Sequence, residues 1–421
     1  MGRPTVDGQP VEMERASLDD EHTVPELTCH VCGAADLTEV GAASGLKGVT
    51  SDCKPWPRSL PVAACGACGL IQKPVTADWL DTIAQVYDAY TIYHQSPGAE
   101  QAVFDGASGV SAPRSRRLLS RLIEECRLRA SGRLLDIGCG NGVLLRTFAD
   151  LAPGWGLAGA DLDDRHRSTV LSIPGVDRFY AGPAEEIADQ FDVITMQHVL
   201  EHVPHPVDLL RQVGRLLTPG GLLFIQVPNI LDNPFDLMVV DHSSHFAPET
   251  ARTTIGLAGL RPVVLAADWA PKELTIVAAA SDGPGGGAAD GIHAGSEASS
   301  APAEAVGSTA EAYLVGSLRW LAKTAAEASV AAGGSDFGVL GTSIAATWIG
   351  NMVGDGVRFF VDEDSDRIGR PFMDRPVIHP ESVPAGARVH VAFPPVQARR
   401  IQGRLANRYP DVHWLVPPER S

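Results

Sequence analysis

The amino-acid sequence predicts a mixed α/β protein with a cysteine-rich module, a central parallel β-sheet and a second, smaller α/β unit. Strand and helix patterns alternate between about residues 112 and 280, which is typical of a parallel sheet covered by helices. Five of the seven cysteines fall between residues 29 and 68. After residue 336, a strand, a glycine-containing turn, a helix and another strand follow one another. Together these three observations define the predicted fold class.

The composition indicates an ordinary globular protein and excludes some partners. The 421 residues suffice for two or three domains, and 44% of them are apolar. The formal net charge of -17 argues against a surface that neutralises nucleic-acid phosphates. No run approaches about 18 apolar residues, the length that a membrane span needs, and the N-terminus lacks a hydrophobic signal region. We therefore predict a cytoplasmic protein without nucleic-acid or membrane partners; the sequence leaves the oligomeric state open.

Shifts in composition divide the chain into five predicted segments. The first is charged and poor in large apolar residues, and the fourth is rich in Gly, Ala, Ser and Pro, so both are expected to lack a packed core. The segments are a disordered N-terminus (1–26), a zinc-binding module (27–75), a central α/β domain with a leading helical segment (76–280), a flexible linker (281–310) and a C-terminal α/β domain (311–421).

The cysteine-rich module contains two C-x-x-C pairs. Their four thiolates on two tight turns suit tetrahedral zinc, and a four-thiolate site leaves no open position for catalysis. A pair of disulfides is the alternative, which a reducing cytoplasm disfavours. We therefore predict a structural zinc ion, with Cys53 as a spare loop thiol. The predicted ligands are Cys29, Cys32, Cys65 and Cys68.

The central domain begins with the sequence RLLDIGCGNGVLLRTF, residues 133–148. It predicts a buried strand, a glycine-rich turn and a helix that begins at about Asn141. Glycines at 138, 140 and 142 allow a tight turn that approaches a ligand closely. A dinucleotide fingerprint has the spacing G-x-G-x-x-G, whereas this turn follows Asp136 as D-x-G-x-G-x-G. An acid there suits a ligand with an ammonium group, such as the amino-acid end of S-adenosylmethionine.

Further candidate residues follow the next strands of the predicted sheet. Asp161 lies about twenty residues beyond the glycine turn, where it suits a ribose hydroxyl; capping the next helix is the alternative. A later strand leads to His198 and the pair Glu201-His202, and another ends at Asn229. A metal role for the His-Glu pair lacks a third ligand at a familiar spacing. Because parallel strands end at one edge of a sheet, we expect one site there.

Two segments outside the strands carry candidate catalytic side chains. The loop after Asn229 contains Asp241, His242 and His245, and a histidine beside a carboxylate suits a general base. A capped helix start is the alternative for this loop. Residues 77–97 predict a helix with tyrosines at 87, 90 and 93. These rings either pack on a neighbouring domain or, for Tyr90 and Tyr93, place hydroxyls over the mouth of the site.

The glycine motif, the acid after the second strand, HVLEHV and LTPGG resemble class I S-adenosylmethionine-dependent methyltransferases, with a Rossmann-like core. The paired C-x-x-C motifs and a C-terminal VDED…PVIHPE segment are similar to the three-domain sugar C-methyltransferases of deoxysugar and antibiotic biosynthesis. The resemblance runs from Cys29 to Pro418 except the linker. It implies the cofactor contacts Asp136, Gly138, Cys139, Gly140, Gly142, Asp161, Leu162, Gln197 and His198.

The resemblance also implies a reaction. In that family a keto sugar on a nucleotide diphosphate loses a proton beside its carbonyl, and the carbanion takes the methyl group. The family's base loop reads approximately Y-H-E-H; here it is Val239-Val240-Asp241-His242, with the last histidine retained. His242 is thus implied as the base, oriented by Asp241, with His198 or His202 stabilising the oxyanion. Tyr90 and Tyr93 lie in the family's aromatic helix.

Other functions differ in their acceptor or in their use of the cofactor. The first alternative is an O- or N-methyltransferase that acts on another small metabolite with the same cofactor site. A zinc-ribbon protein that binds cofactor without chemistry is a second alternative. A nicotinamide dehydrogenase is disfavoured by the glycine spacing and by Asp136. In the C-terminal domain, Gly341-Thr342-Ser343 predicts either a phosphate cradle or a simple tight turn.

Overall fold

The structure is a computed structural model that describes residues 27–40, 45–88, 111–280, 303–334 and 336–420. Outside these ranges it describes only the backbone of short strands within residues 5–10 and 95–104. The predicted disorder of residues 1–26 and the positions of Tyr90 and Tyr93 therefore lie outside the described residues. Within the described ranges, no helix is both long and apolar enough to cross a bilayer.

The N-terminal module is built from short antiparallel strands. Strands β1, β4 and β5 pair in one sheet, and β2 pairs with β3 in a separate hairpin. The following helix, α1, buries Trp79, whose indole N–H donates to the carbonyl of Val240, 3.2 Å away. The elements are β1 (Leu37–Val40), β2 (Gly48–Val49), β3 (Pro55–Trp56), β4 (Val62–Cys65), β5 (Ile71–Gln72) and α1 (Ala77–Asp88).

The central domain contains a seven-stranded sheet in the order β8-β7-β6-β9-β10-β13-β12. Its first five strands are parallel; β13 runs antiparallel to its neighbours β10 and β12, so β12 has the same direction as the first five. Its elements are α2 (Arg114–Glu125), β6 (Arg133–Ile137), α3 (Val143–Leu151), β7 (Gly156–Asp161), α4 (Arg167–Leu171), β8 (Val176–Ala181), β9 (Phe191–Gln197), α5 (Pro206–Arg215), β10 (Leu217–Pro228), β11 (Ser244–His245), α6 (Pro248–Leu257), β12 (Leu260–Ala266) and β13 (Glu273–Ala280).

Strand β11 does not belong to the central sheet, although it lies within that part of the chain. Ser244 and His245 pair with Gln72 and Ile71, so β11 is the edge strand of the N-terminal sheet, in the order β11-β5-β4-β1. The loop that carries the candidate base is therefore shared between the two parts. No sequence pattern indicates this pairing, because β11 has only two residues and its partner is about 170 residues away.

The C-terminal unit is a second α/β layer with the strand order β16-β17-β15-β14-β18-β19. All neighbouring strands are parallel except the pair β16–β17. The elements are α7 (Ala303–Ala332), β14 (Phe337–Leu340), α8 (Ile344–Val353), β15 (Phe359–Val361), β16 (Pro371–Phe372), β17 (Arg375–Ile378), β18 (Arg388–Val391), α9 (Pro395–Arg408) and β19 (His413–Leu415). Helix α7 begins inside the segment that composition alone predicts as linker.

The three parts meet at one apolar cluster. The ring of Phe235 packs edge-on against Trp320 of α7 and Trp348 of α8, with centroid distances of 5.2 and 5.7 Å. The indole N–H of Trp348 donates to the carbonyl of Lys47 in the module, 2.9 Å away. Burial of each large apolar side chain, relative to its exposure in water, adds about 1.5–3 kcal/mol to the free energy of unfolding. This cluster fixes the loop after β10 between the module and the C-terminal unit.

Candidate active site

The glycine-rich turn follows β6 and requires glycine at two of its positions. Gly138, Gly140 and Gly142 all have left-handed φ angles, at +71°, +50° and +82°. A Cβ on Gly138 would lie 2.4 Å from Val199, and one on Gly142 would lie 2.4 Å from the Ile173 side chain. Both contacts are too short for any larger residue. The turn therefore brings backbone to the end of β6, and α3 begins at Val143, two residues later than the sequence suggests.

Asp136, the acid before the turn, is buried at the carboxyl end of β6. Its Oδ1 accepts a hydrogen bond from the Thr195 hydroxyl at 2.7 Å. Burial raises the pKa of Asp136 to about 7; the Thr195 bond opposes that rise, and the nearby Asp161 charge adds to it. A buried carboxylate with so few partners gains strongly from a cationic ligand. The arrangement therefore suits an ammonium group at this position.

Asp161 ends β7 and faces the glycine turn. Its Oδ2 accepts from the Gly140 amide at 2.9 Å, and its Oδ1 accepts from the Leu162 amide at 2.8 Å. Helix α4 begins only at Arg167. The helix-cap alternative for Asp161 is therefore wrong: the carboxylate holds the turn instead. Each oxygen retains a lone pair toward a hydroxyl ligand.

The other predicted cofactor residues surround the same edge of the sheet in different environments. Leu162 is 81% exposed beside Asp161. Cys139 is buried in the core cluster behind the turn. Gln197 is half-buried as the last residue of β9. Their contact with a cofactor stays a prediction.

His198 follows β9 in a left-handed conformation, with φ of +53°, which is strained for a residue with a Cβ. Its Nδ1 bonds to Glu201 Oε1 at 2.9 Å, and its Nε2 bonds to the Arg114 guanidinium at 2.5 Å. Arg114 also pairs with Glu273 at 3.0 Å. Burial lowers the pKa of His198 to about 4. With both ring nitrogens occupied, the predicted oxyanion contact through His198 has no N–H to donate.

The orienting acid of His242 is Asp236, not Asp241 as the sequence suggests. His242 Nδ1 lies 2.8 Å from Asp236 Oδ1. The Asp241 carboxylate instead accepts from the amide of Ser51 at 2.8 Å and from its hydroxyl at 2.5 Å. Burial lowers the pKa of His242, but the Asp236 carboxylate outweighs it, and the net pKa is raised. Asp241 therefore anchors the loop to the module, while Asp236 makes His242 more basic.

His202 lies directly against His242. The two ring centroids are 4.7 Å apart and perpendicular, and His202 Nδ1 lies 3.0 Å from the Asp241 carbonyl. A carboxylate oxygen of Glu201 lies within 4.8 Å of a ring nitrogen of each histidine, so His242 is a third group beside the Glu201-His202 pair. Burial lowers the pKa of His202. Within the described residues, the Nε2 atoms of His202 and His242 form no hydrogen bond.

Helix α1, which carries Tyr87, packs beside His202. The ring of Tyr87 lies 6.5 Å from that of His202, and α1 ends one residue later, at Asp88. Helix α1 covers the predicted helix as far as Asp88, and residues 89–94 lie outside the described residues. The position of Tyr87 agrees with aromatic residues near the mouth of the site.

The two C-x-x-C pairs form matched turns whose four sulfurs converge. In each turn the glycine after the second cysteine donates to the carbonyl of the first: Gly33 to Cys29, and Gly69 to Cys65, both at 2.9 Å. All four thiols are free, with Cys29–Cys68 and Cys32–Cys65 sulfur distances of 3.5 and 3.6 Å. Tetrahedral Zn–S bonds of about 2.3 Å place the sulfurs about 3.8 Å apart. The cluster therefore fits a zinc ion.

The turn at residues 341–343 is explained by contacts within the C-terminal unit. Gly341 has a φ of +98°, and the Thr342 hydroxyl donates to Asp362 Oδ2 at 2.8 Å. Arg367 also contacts the Thr342 carbonyl, at 2.9 Å. These contacts account for a tight turn; a phosphate cradle stays a prediction.

Sequence reasoning missed four residues that complete the site: Lys73, Arg114, Asp236 and Glu273. Asp236 lies six positions before His242 in the same loop, so a search for acids near the base includes it. Arg114 and Glu273 come from α2 and β13, and Lys73 from the module. These three match no motif and meet the histidines only through the tertiary fold.

Part of the central domain is similar to known methyltransferases. Residues 112–256 match the family model described as a methyltransferase domain, which confirms the prediction of a methyltransferase domain there. The ubiquinone biosynthesis O-methyltransferase of Aeromonas salmonicida is 37% identical over 116 residues, which cover 26% of this chain and 48% of that protein. The enzyme of the same name from Bordetella pertussis is 30% identical over 153 residues, which cover 31% and 62%. The chain thus spans about half to three-fifths of the length of these relatives.

Solved structures of methyltransferases resemble the chain only weakly. A methyltransferase in calicheamicin biosynthesis, in its SAH-bound form, has 17% identity and a TM-score of 0.35, with coverage of 40% of this chain and 54% of that one. An S-adenosylmethionine-dependent methyltransferase from Clostridium acetobutylicum has 12% identity and a TM-score of 0.35, with coverage of 48% and 99%. At these TM-scores the likeness carries no argument about substrate or mechanism.

Proposed function

We propose that the protein transfers the methyl group of S-adenosylmethionine to a small-molecule acceptor. The observation that carries this proposal is the glycine turn with Asp136 buried beside it, inside the segment that matches a methyltransferase domain. Asp136 suits the ammonium of the methionine moiety, and Asp161 suits the ribose hydroxyls. The backbone of Gly138 and Gly140 approaches the ligand. Transfer then depends on holding the acceptor atom in line with the sulfonium.

We propose further that the acceptor is a carbon acid, such as a nucleotide-linked keto sugar, which must lose a proton before methylation. His242 supports this, because Asp236 accepts a hydrogen bond from its Nδ1–H and so leaves the basic lone pair on Nε2. His202 has the second available ring nitrogen, so it replaces His198 as the proposed partner of the enolate oxygen. An acceptor atom that is already nucleophilic does not need a general base, so a buried and oriented base favours an acceptor that must first lose a proton.

O-methylation of a small phenolic or hydroxyl acceptor is the second candidate. The two relatives described above are named ubiquinone biosynthesis O-methyltransferases, and that is the observation that favours it. A general base also assists a hydroxyl nucleophile, so His242 would keep a role with a smaller effect.

Methyl-labelled S-adenosylmethionine separates these candidates. The protein is incubated with a panel of nucleotide-linked 4-keto sugars and a panel of hydroxylated aromatic acceptors, and product NMR locates the label. A label on the carbon beside the carbonyl supports C-methylation, and a label on oxygen supports the second candidate. If the cofactor binds and no acceptor in either panel is labelled, both proposed acceptor classes are wrong. Methyl transfer would then require an acceptor of another class.

We also propose that the four cysteines hold a structural zinc ion. The convergence of four free thiols at nearly tetrahedral spacing supports this. Elemental analysis of the purified protein is expected to give one zinc per chain. If the purified protein contains no zinc and Cys29 is disulfide-bonded to Cys68, the disulfide alternative is supported instead.

Cofactor affinity is expected to fall as the pH drops through the pKa of Asp136. Below about pH 7 the free carboxyl is protonated and no longer attracts an ammonium ion. The dissociation constant of S-adenosylmethionine should therefore be about eightfold larger at pH 6 than at pH 7.5. Calorimetric titration at both pH values checks this.

The variant Asp136→Asn is the control for titration of the ligand itself. It should bind more weakly and show little of this pH dependence. An equal pH dependence in the variant would assign the effect to another group.

A further inference from the structure

A continuous row of buried polar groups extends from the proposed base to the N-terminal module. His242 Nδ1 bonds to Asp236 Oδ1 at 2.8 Å, and His245 Nδ1 bonds to Asp236 Oδ2 at 2.5 Å. On its far side, His245 Nε2 lies 2.9 Å from Lys73 Nζ. The same ammonium donates to the backbone carbonyl of His242 at 3.2 Å. Lys73, His245 and Asp236 thus form one connected support behind His242.

None of these groups is available to solvent. The exposed fractions of Lys73, Asp236 and His245 are 1% each, and that of His242 is 3%. A buried ammonium ion or carboxylate persists only when its partners compensate for the lost hydration. Such a row is costly to bury and does not pack better than apolar residues would. Its placement directly behind the proposed base points to a chemical role.

The donor inventory fixes where the protons lie. An ammonium group has only donors, so Nε2 of His245 must accept from Lys73. A neutral imidazole that accepts at Nε2 carries its proton at Nδ1, which donates to Asp236 Oδ2. The other oxygen, Oδ1, then accepts from Nδ1 of His242. The lone pair of His242 is therefore left on Nε2.

We propose that Lys73 and His245 are positioning residues that act through Asp236 to hold the proton of His242 on Nδ1. This inference rests on the proposed function only in taking His242 as the base. Lys73 keeps His245 neutral, so that His245 donates to Asp236 without neutralising it. Asp236 then keeps its full charge for His242.

The surrounding charges agree with this arrangement. Burial lowers the pKa of Lys73 to about 8, although Asp236 and Asp241 oppose that change. Burial and then the Lys73 charge lower the pKa of His245 to about 4. The titratable groups that face His242 from the elements packed on it are Lys73, His198, Glu201, His202, Asp236, Asp241 and His245.

The test is a histidine-ring NMR titration between pH 5.5 and 7.5, which requires no acceptor. In the unchanged protein, His245 is expected as the neutral Nδ1–H tautomer throughout. Replacing Lys73 by methionine removes the charge at similar volume. His245 should then titrate within this range, and the pKa of His242 should fall by about 0.5 to 1 unit as Asp236 is shared. Lys73→Arg, which keeps the charge, is the matched control.

A second pair of variants keeps the test decisive if Lys73→Met does not fold. His245→Gln retains a donor for Asp236 and an acceptor for Lys73, so the His242 titration should match that of the unchanged protein. His245→Leu removes both, and the pKa of His242 should rise by about 0.5 unit because Asp236 then serves one imidazole. An Nε2–H tautomer of His245 in the unchanged protein, or a His242 titration that no variant moves, overturns the proposal. Because the readout is independent of turnover, these results stand apart from the search for an acceptor.

Discussion

Replacing His242 by asparagine is expected to lower the rate of methyl transfer to a carbon acid by about 10²- to 10⁴-fold, the usual contribution of a positioned general base. The asparagine amide places an N–H near the former Nδ1, so Asp236 retains a donor, while the basic nitrogen at Nε2 is lost. The fold should therefore survive a change that removes only the proton acceptor. The measurement is turnover with labelled cofactor, alongside the dissociation constant of S-adenosylmethionine.

Cofactor affinity is the internal control, because His242 and the glycine turn belong to different segments, and it should change less than about twofold. His205→Gln is the matched variant: this exposed histidine precedes α5 near the same edge and makes no side-chain cap. It should retain full turnover. If His242→Asn also retains turnover, the carbon-acid mechanism is excluded, and an acceptor that needs no base is indicated.

The pH dependence of that turnover gives a second readout of the same residue. A base acts only when it is deprotonated, so the rate should rise with pH through the pKa of His242. Asp236 raises that pKa above its usual value, against the effect of burial. The acidic limb should therefore lie above pH 6.5, the pKa of an unperturbed histidine.

The features that the sequence predicts well are local ones. The glycine turn, Asp136 and Asp161 lie within about twenty-five consecutive residues. Each residue meets a requirement of the local backbone or of the ligand, so the sequence alone predicts this part of the site. The sequence also predicts the zinc site from the two C-x-x-C pairs, because a structural zinc ion is bound by four thiolates on tight turns. The fold class follows from the alternation of strands and helices.

The contacts that determine which histidine can act are not local. His198 and His202 are four residues apart in one motif, yet Arg114 from α2 occupies the first and leaves the second available. Asp241 adjoins His242 in sequence but bonds to Ser51, 190 residues away. Adjacent residues in a loop diverge in direction, so proximity along the chain is a poor guide to the partner of a base. A lone sequence carries no signal for such pairs.

Those distant contacts give the N-terminal module a role beyond its own stability. The amide of Val240 donates to the Val49 carbonyl, and the amide of Lys73 donates to the Ser243 carbonyl, both at 2.9 Å. Together with the Ser51–Asp241 bonds, they hold the base loop on both sides. Strand β4 ends at Cys65, and β5, which directly precedes Lys73, follows Cys68 by three residues. The cysteine cluster therefore supports the base loop through one short sheet.

Cys65→Ser is accordingly expected to destabilise the module and to loosen the base loop with it. Structural zinc contributes about 10–16 kcal/mol to the folding of small zinc domains, so loss of one ligand should cost several kcal/mol. Hydrogen exchange should accelerate at the amides of Val240 and Lys73, while the amide of Leu135 in the central sheet keeps its protection. Cys53→Ser, which changes a buried thiol of the same module outside the cluster, is the matched control. Faster exchange confined to the cysteine turns, with Val240 and Lys73 still protected, would mean that the cluster stabilises the module without supporting the base.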